Sequence, residues 1–433
     1  GDARIDDGKL MRLAARMPAT AFRSGDVEAR RLQATVDLTT TGDRVALRVS
    51  AAADRASLPG FSGERVTATM VSDLPYPDLR VRRGDGRARL DLQMAAARLA
   101  AGDASARAAD LRLTFDGQTS GWIEAFRIEG TSAVDLRAAR IDGPAASAAA
   151  ARLRLTDART RVTRDSGGLG WRLDGAAAVS AARASGAGLD GVDVTLTSSQ
   201  LTLGGRGAAM EAGGSVGLSA ARLARDELTL TGVRGTTEFD LVSDGGVRVT
   251  AAGAFRSARG AWPLFGAPSG EDVPELAGMK RALSAFTLDV PGFELSAGHS
   301  GTRLTLTRPA TLQPANGGVL TLRPVATPIF LATPGRAGGG ALSLTATRGQ
   351  GLPEAAFEIP AWRLTPSGFT ATLDGRAALD FGLARGITLQ TRGELTSSGS
   401  RLAYVAARCI PLAVERLELD ESDVADIAGE ICP

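Results

Sequence analysis

The chain has 433 residues, is 44% hydrophobic but only 4% aromatic, and balances 50 basic against 48 acidic residues for a formal net charge of +2. That length allows two or three ordinary domains, while the interspersed signs at Asp91, Arg112, Asp135, Arg137 and Asp193 exclude a basic footprint for nucleic acid. One histidine and two cysteines exclude zinc and iron centres built from His and Cys clusters.

The first predicted element is a short helix over residues 5–17, where Ile5, Leu10, Leu13 and Met17 share a face and Pro18 ends it. From about residue 28 the period changes to two. Short aliphatic–polar alternations then recur about every ten residues, as in Leu90-Asp-Leu92, Leu111-Arg-Leu113-Thr-Phe115 and Leu153-Arg-Leu155. A strand turns alternate side chains to opposite faces, so each unit predicts a strand with an apolar and a polar side. Further units fall at Val45–Val49, Val66–Met70, Leu79–Val81, Phe126–Ile128, Val134–Leu136, Val192–Leu196, Leu201–Leu203, Leu228–Leu230, Phe239–Leu241 and Val247–Val249. Gly84-Asp-Gly86, Asp116-Gly117, Asp142-Gly143, Asp174-Gly175 and Asp244-Gly245 read as the hairpin turns between them.

A break rich in Gly, Pro and Ala follows at 253–272 and carries Trp262, Pro263, Leu264 and Phe265. A helix is predicted from Asp272 to Phe286, with Asp272 as N-cap, Pro274 in the first turn and Glu275 as reciprocal cap partner. Its apolar stripe would be Leu276, Met279, Leu283 and Phe286. A second β run extends from Thr287 to about Val405, where Pro309, Pro314, Pro324, Pro328 and Pro334 imply edges and bends. Cys409 and Cys432 are either joined locally or are two separate buried thiols. The expected disulfide would clip a terminal hairpin and imply an oxidising compartment, periplasm or exterior.

The organisation expected is therefore a lead-in helix to residue 27, a first β run over 28–265, a break with a helix over 266–286, a second run over 287–408 and a clipped hairpin over 409–433. The fold class expected is all-β: an elongated, curled antiparallel sheet, with few short helices, forming a long hydrophobic groove. About thirty strands at ~4.8 Å would extend ~140 Å. The longest run of small apolar residues, Ala145 to Ala151, is too short to span a bilayer. Starting at Gly1 and stopping directly after Cys432, the chain is expected to be a piece of a longer protein.

Catalytic signatures are missing, and no enzyme is expected. His299 sits in Ala-Gly-His-Ser-Gly, a turn. Gly186-Ala-Gly188-Leu-Asp-Gly191 matches a dinucleotide fingerprint in letters, but a strand, Val192 to Leu196, follows where a helix is needed. Trp122, Trp171, Trp262 and Trp362 follow no groove-binding period and read as packing anchors. Glu418, Asp420 and Glu421 read as a solvated face. No cofactor or metal is expected.

The apolar row itself is then the candidate functional surface. Its lining would be Leu90, Leu92, Leu111, Leu113, Phe115, Val134, Leu136, Leu153 and Leu155, then Val192, Val194, Leu196, Leu201, Leu203, Leu228 and Leu230. Phe239, Leu241, Val247, Val249, Leu304, Leu306, Leu320, Leu322, Leu342 and Leu344 complete it. Such a wall is smooth and aliphatic, and suits phospholipid acyl chains.

The stretches Leu283-Ser-Ala-Phe-Thr-Leu-Asp-Val-Pro-Gly-Phe-Glu-Leu295, Arg303-Leu-Thr-Leu-Thr-Arg-Pro309 and Gly317-Gly-Val-Leu-Thr-Leu-Arg-Pro324 resemble the AsmA-like bacterial envelope proteins of the YdbH type, once labelled a dicarboxylate-transport domain. Cys409-Ile-Pro-Leu412 and Ile431-Cys-Pro433 fit the same resemblance. It implies a bridge-like lipid carrier between the inner and outer membranes of a Gram-negative cell, periplasmic, with a membrane anchor elsewhere in the parent protein. It supplies no catalytic residues. The rival expectation is a secreted β-solenoid adhesin or scaffold with a closed dry core; it lacks Asn ladders, since Asn316 is the sole asparagine. A carbohydrate-active β-solenoid would need clustered carboxylates on one surface.

Overall fold

The computed structural model describes all residues except Leu79, Ala187, Leu264, Phe265, Gly399, Ser400, Asp420, Glu421 and Pro433, and all side chains of the described strands except those of Arg401 and Leu402. Strand accounts for 79% and helix for 3%, so the fold is all-β. Contacts divide the chain into two compact units, Gly1–Leu218 with Leu241–Gly245, and Ser219–Asp240 with Gly246–Pro433.

The first unit is a meander. Its strands are β1 (Asp2–Asp6), β2 (Lys9–Ser24), β3 (Val27–Thr41), β4 (Arg44–Leu58), β5 (Phe61–Pro75), β6 (Gly86–Ala101), β7 (Ala104–Trp122), β8 (Ala125–Asp142), β9 (Ala146–Asp165), β10 (Gly168–Gly186) and β11 (Leu189–Arg206). Each pairs antiparallel with the next. β12 (Ala209–Arg225) and β13 (Leu228–Ser243) each contribute to both units. The strands are longer than the sequence units suggest because one strand carries two of them. β8 holds both Phe126–Ile128 and Val134–Leu136, and β11 holds both Val192–Leu196 and Leu201–Leu203.

The second unit continues with β14 (Val247–Ala261), α1 (Pro274–Ser284), β15 (Phe286–Gly298), β16 (Gly301–Leu306), β17 (Ala310–Pro314), β18 (Val319–Arg323), β19 (Phe330–Ala332) and β20 (Gly339–Thr347). It ends with β21 (Glu354–Thr365), β22 (Gly368–Phe381), β23 (Ala384–Ser398), β24 (Arg401–Ala406), β25 (Ile410–Leu419) and β26 (Ser422–Ile431). β15 pairs with β16 along one half and with β17 along the other. β19 and β18 then both pair with β20. Strand breaks fall at Thr307–Pro309 and at 324–329, where proline cannot donate to a ladder. Val290, Leu306 and Ala310 fill that junction, and Phe255 and Phe293, edge to face with each other, pack against them.

Several local expectations are corrected. Residues 5–17 form a hairpin, β1 to β2, instead of a helix. Asp7 and Gly8 take the paired positive φ angles of a tight hairpin turn, +48° and +74°. β1 pairs only as far as Ala14, so Pro18 lies where β2 has an open edge on that side. The segment around Leu79–Val81 is a loop between β5 and β6; Leu79 itself lies outside the described residues, and Asp78 turns the chain by accepting hydrogen bonds from the Arg80 and Val81 amides.

Asp116-Gly117 and Asp174-Gly175 lie inside β7 and β10, so neither is a turn. Gly117 faces Gly130 across the ladder, and a Cβ on it would collide with the Phe115 ring and the Glu129 carbonyl. This glycine makes room for an aromatic ring.

The helix begins at Pro274 with Val273 at the N-cap and no side-chain cap. Asp272 instead binds Lys280 at 2.7 Å, and Glu275 accepts from the Gly382 amide at 3.1 Å. Asn316 Nδ2 donates to the Gly278 carbonyl at 3.1 Å. α1 thus lies across turns at the strand ends of its own unit. Phe286, expected at the helix end, opens β15.

Little of this chain is wrapped into a thick core. Its accessible surface is 26082 Å². A compact monomer of this mass would expose about 15,600 Å², and two compact units of half the mass about 18,800 Å² together.

Candidate functional site

Three rows of side chains cross the first unit on one face. Met17, Ala34, Ala51, Ala68, Met94, Leu111, Leu136, Leu153, Val179 and Leu196 are successive cross-strand partners from β2 to β11. The next row is Ala15, Val36, Val49, Met70, Leu92, Leu113, Val134, Leu155, Ala177 and Ser198. A third runs Leu13, Leu38, Leu47, Ser72, Leu90, Phe115 and Ser132. Directly opposed residues share a face, so one surface is aliphatic over nine strand steps, about 43 Å. Among the described residues of the unit, nothing covers its far end: Val179 and Leu196 remain 39% and 37% exposed.

The other face is charged. Asp135 lies directly between Arg112 and Arg154 and binds Arg152 at 2.5 Å and Arg137 at 3.3 Å. The Arg152 hydrogen bond, then that of Arg137, holds its carboxyl far below the usual carboxylate range. Arg87 and Arg89 converge on Asp116 in the same way, and the Arg87 bond depresses that carboxyl.

A crease bends this sheet towards its apolar side. Arg31, Arg65, Ala108, Ala150 and Asp193, each the fifth residue of its strand, carry φ angles between +48° and +51°. A left-handed residue within a strand flips the alternation by one place. Two exposed residues then stand between two inward ones, as in Ala29-Arg-Arg-Leu32 around Arg31. The partner strands, which hold no left-handed residue at the bend, show the same spacing opposite the flip in Ala53-Asp-Arg-Ala56 and Ala181-Ala-Arg-Ala184. The inward residues i and i+3 meet inside the bend. A Cβ on Gly63 would come within 2.5 Å of Val66 Cγ2. Only small residues fit, and Ala53, Ala96, Ala109, Ala138, Ala151 and Ala181 line the bend, all buried.

This device was missed in the sequence, although it leaves a signal. Ala-x-Arg-apolar recurs at Ala53, Ala96, Ala138 and Ala181, and again as Ala220-Ala-Arg-Leu223 in the second unit.

Most lining residues proposed from sequence fall on the aliphatic face. Leu90, Leu92, Leu111, Leu113, Phe115, Val134, Leu136, Leu153, Leu155 and Leu196 occupy the three rows. Val194 pairs with Ala181 at the crease, while Leu201 and Leu203 pair with Gly175 and Leu173. Val192 is different. The flip at Asp193 places it opposite Arg183, on the charged face.

Phe239 and Leu241 are half-buried and alternate with exposed Glu238 and Asp240; Leu228 and Leu230 precede the flip at Gly232. Val249 pairs with Ala297, and Val247 is exposed at the strand start.

In the second unit Leu288, Leu312, Leu320, Ala346, Ala355, Ala377, Leu389, Leu412 and Gly429 form one row. Leu322, Leu344 and Phe357 form the next, and Leu342 pairs with Ile359. Leu304 and Leu306 pair with Leu295 and Phe293. A shallow hollow of about 1360 Å³ includes Ala346, Ala355, Ala377, Leu389 and Leu412 in its wall.

Cys409 and Cys432 are joined in a disulfide that ties the start of β25 to the end of β26. Glu430 lies beside them, but bonded sulfurs offer no thiolate to a metal. Trp171 packs on Gly205, and Trp362 Nε1 donates to the Ile329 carbonyl at 3.0 Å, so both act as packing anchors. No helix among the described residues is long and apolar enough to cross a membrane. No protein-family model matches this chain, and neither does any curated protein.

Proposed function

We propose that this chain shields phospholipid acyl chains on its aliphatic face, as a periplasmic segment of a bridge-like lipid carrier between inner and outer membranes. The observation that carries this reading is the set of long, mostly aliphatic rows, half-exposed along much of their length and open at Val179 and Leu196, on a sheet whose other face is ionic. A closed scaffold would bury such rows under a second layer.

The energetics favour a sliding ligand. Each methylene removed from water gains about 0.8 kcal/mol, so a sixteen-carbon chain gains on the order of 12 kcal/mol before entropic losses. Leu, Val, Met and Ala repeat from strand to strand, so that gain varies little along a row and no deep well stops the lipid. The disulfide supports an oxidising compartment. The AsmA-like resemblance of the 283–324 region agrees with both points.

The test is mass spectrometry of organic extracts from protein purified without detergent, together with photo-crosslinking from position 155. Co-purified phospholipid and an acyl crosslink are expected. Leu155→Asp should abolish both, whereas Val71→Asp, on an exposed charged-face position, should leave them unchanged. Native protein that carries no lipid and gives no crosslink would favour the dry scaffold and end this reading.

A further inference from the structure

The crease has an outer side, and it is lined with arginine. Arg30, Arg55, Glu64, Arg98, Arg107 and Arg140 are successive cross-strand partners from β3 to β8, and Arg183 continues the row beyond Ala149. Arg30 directly faces Arg55, Arg98 faces Arg107, and Arg107 faces Arg140. Like charges in direct opposition destabilise a sheet. Arginines also oppose one another elsewhere on this face, as Arg137 and Arg152 or Arg161 and Arg172 do, but there each has an acid partner in Asp135, Glu129 or Asp174. Here Arg55 has Glu64 at 3.4 Å and Arg140 has Asp142 at 2.7 Å. Among the described residues, Arg30, Arg98, Arg107 and Arg183 have no ion-pair partner.

The row towards the turns runs Glu28, Ser57, Ser62, Ala100, Ser105 and Asp142, so its acids stand at the two ends and small residues lie beside Arg55, Arg98 and Arg107. The turn nearest Arg55 is Leu58-Pro-Gly-Phe61, which has no acid. Leu58 and Phe61 there are 52% and 62% exposed. Three to four strand residues separate this apolar tip from the arginine row, about 10–13 Å. That is the layering of a membrane interface, with apolar groups at the acyl boundary and cations at phosphate depth. The adjacent turns carry Asp26 and Asp103, which disfavours insertion immediately beside this tip.

We propose that this edge docks on an anionic phospholipid surface, with Leu58 and Phe61 inserted and Arg30, Arg55, Arg98 and Arg107 over the lipid phosphates. A soluble polyanion would use the arginines and gain nothing from Leu58 and Phe61, and that difference separates the two partners. The arginine row lies on the opposite face from the aliphatic rows, while Leu58 and Phe61, three residues from Arg55 and Glu64, stand at the strand tips with the parity of the aliphatic side. None of these six residues belongs to the three rows, so vesicle docking and acyl-chain shielding are tested separately.

The test is co-sedimentation of the full chain with phosphatidylcholine vesicles, with and without phosphatidylglycerol. Binding is expected only to the anionic vesicles, and raised salt should remove it. Arg98→Gln with Arg107→Gln should weaken it by about tenfold or more. Leu58→Ser with Phe61→Ser should also weaken it, while leaving any binding to inorganic polyphosphate unchanged. All four side chains are exposed or clear of the apolar face, and circular dichroism checks the fold of each variant. No binding to anionic vesicles, or vesicle binding indifferent to Leu58→Ser with Phe61→Ser, overturns the proposal.

Discussion

Neighbouring residues at the crease should respond in opposite ways to the same change. Ala108 holds the left-handed conformation and points outward, whereas Ala109 lies inside the bend and is buried. Ala109→Leu must force extra carbons into a closed corner, and should cost about 1–3 kcal/mol. Ala108→Leu adds bulk only to solvent, and should stay within about 0.5 kcal/mol. Denaturant unfolding of the two variants checks this; equal effects would mean that the corner is not tight. Asp135 gives a second prediction at this scale. Its folded pKa is depressed, first by Arg152 and then by Arg137. Its stabilising contribution is therefore complete above the unfolded value near 3.9 and is lost as pH falls below it. Asp135→Asn should be less stable than the parent at neutral pH, and the gap should close below about pH 4. A melting-temperature gap independent of pH would refute the assignment.

At the level of elements, the disulfide and the crease show what a sequence does and does not disclose. Cys409→Ser removes the tie across β25 and β26, which among the described residues pair with the rest of their unit through β23. In the chain-entropy model closing such a loop is worth about 3 kcal/mol. Hydrogen exchange should accelerate in β25 and β26 of the variant while the β7–β8 amides keep their protection; uniform acceleration would show that the hairpin is not a separate cooperative unit. The strands themselves were legible because Leu-x-Leu alternation has one physical meaning on a half-covered sheet. The first hairpin was not, because Ile5, Leu10, Leu13 and Met17 satisfy helical spacing by accident, and Asp7-Gly8 is the local signal that decides. Val192 was misplaced for a related reason. Period two holds only until a left-handed residue resets it, and Asp193 carries no side-chain feature that announces its φ. The repeat of Ala-x-Arg-apolar marks the bend on the partner strands β4, β6, β8 and β10, once the buried alanine and exposed arginine are recognised as its two sides.

At the scale of the whole molecule, stability and ligand are the same question. A 44.5 kDa chain that exposes 26082 Å² has forgone much of the apolar burial that normally offsets chain entropy. Strand-to-strand hydrogen bonds and ion pairs on the charged face do not replace that term, since surface pairs contribute little each. A ligand lying on the aliphatic rows would supply it. Anything that binds only the folded state stabilises by mass action. Delipidated protein should therefore melt at lower temperature than protein as purified, and bind an apolar dye more strongly. Adding back phospholipid should raise the melting temperature with concentration. The increment should vanish in Leu155→Asp, because a carboxylate in the central row breaks the wall that the acyl chain needs. If delipidation leaves melting and dye binding unchanged, the rows are already satisfied without a ligand, and their exposure has a purely structural origin.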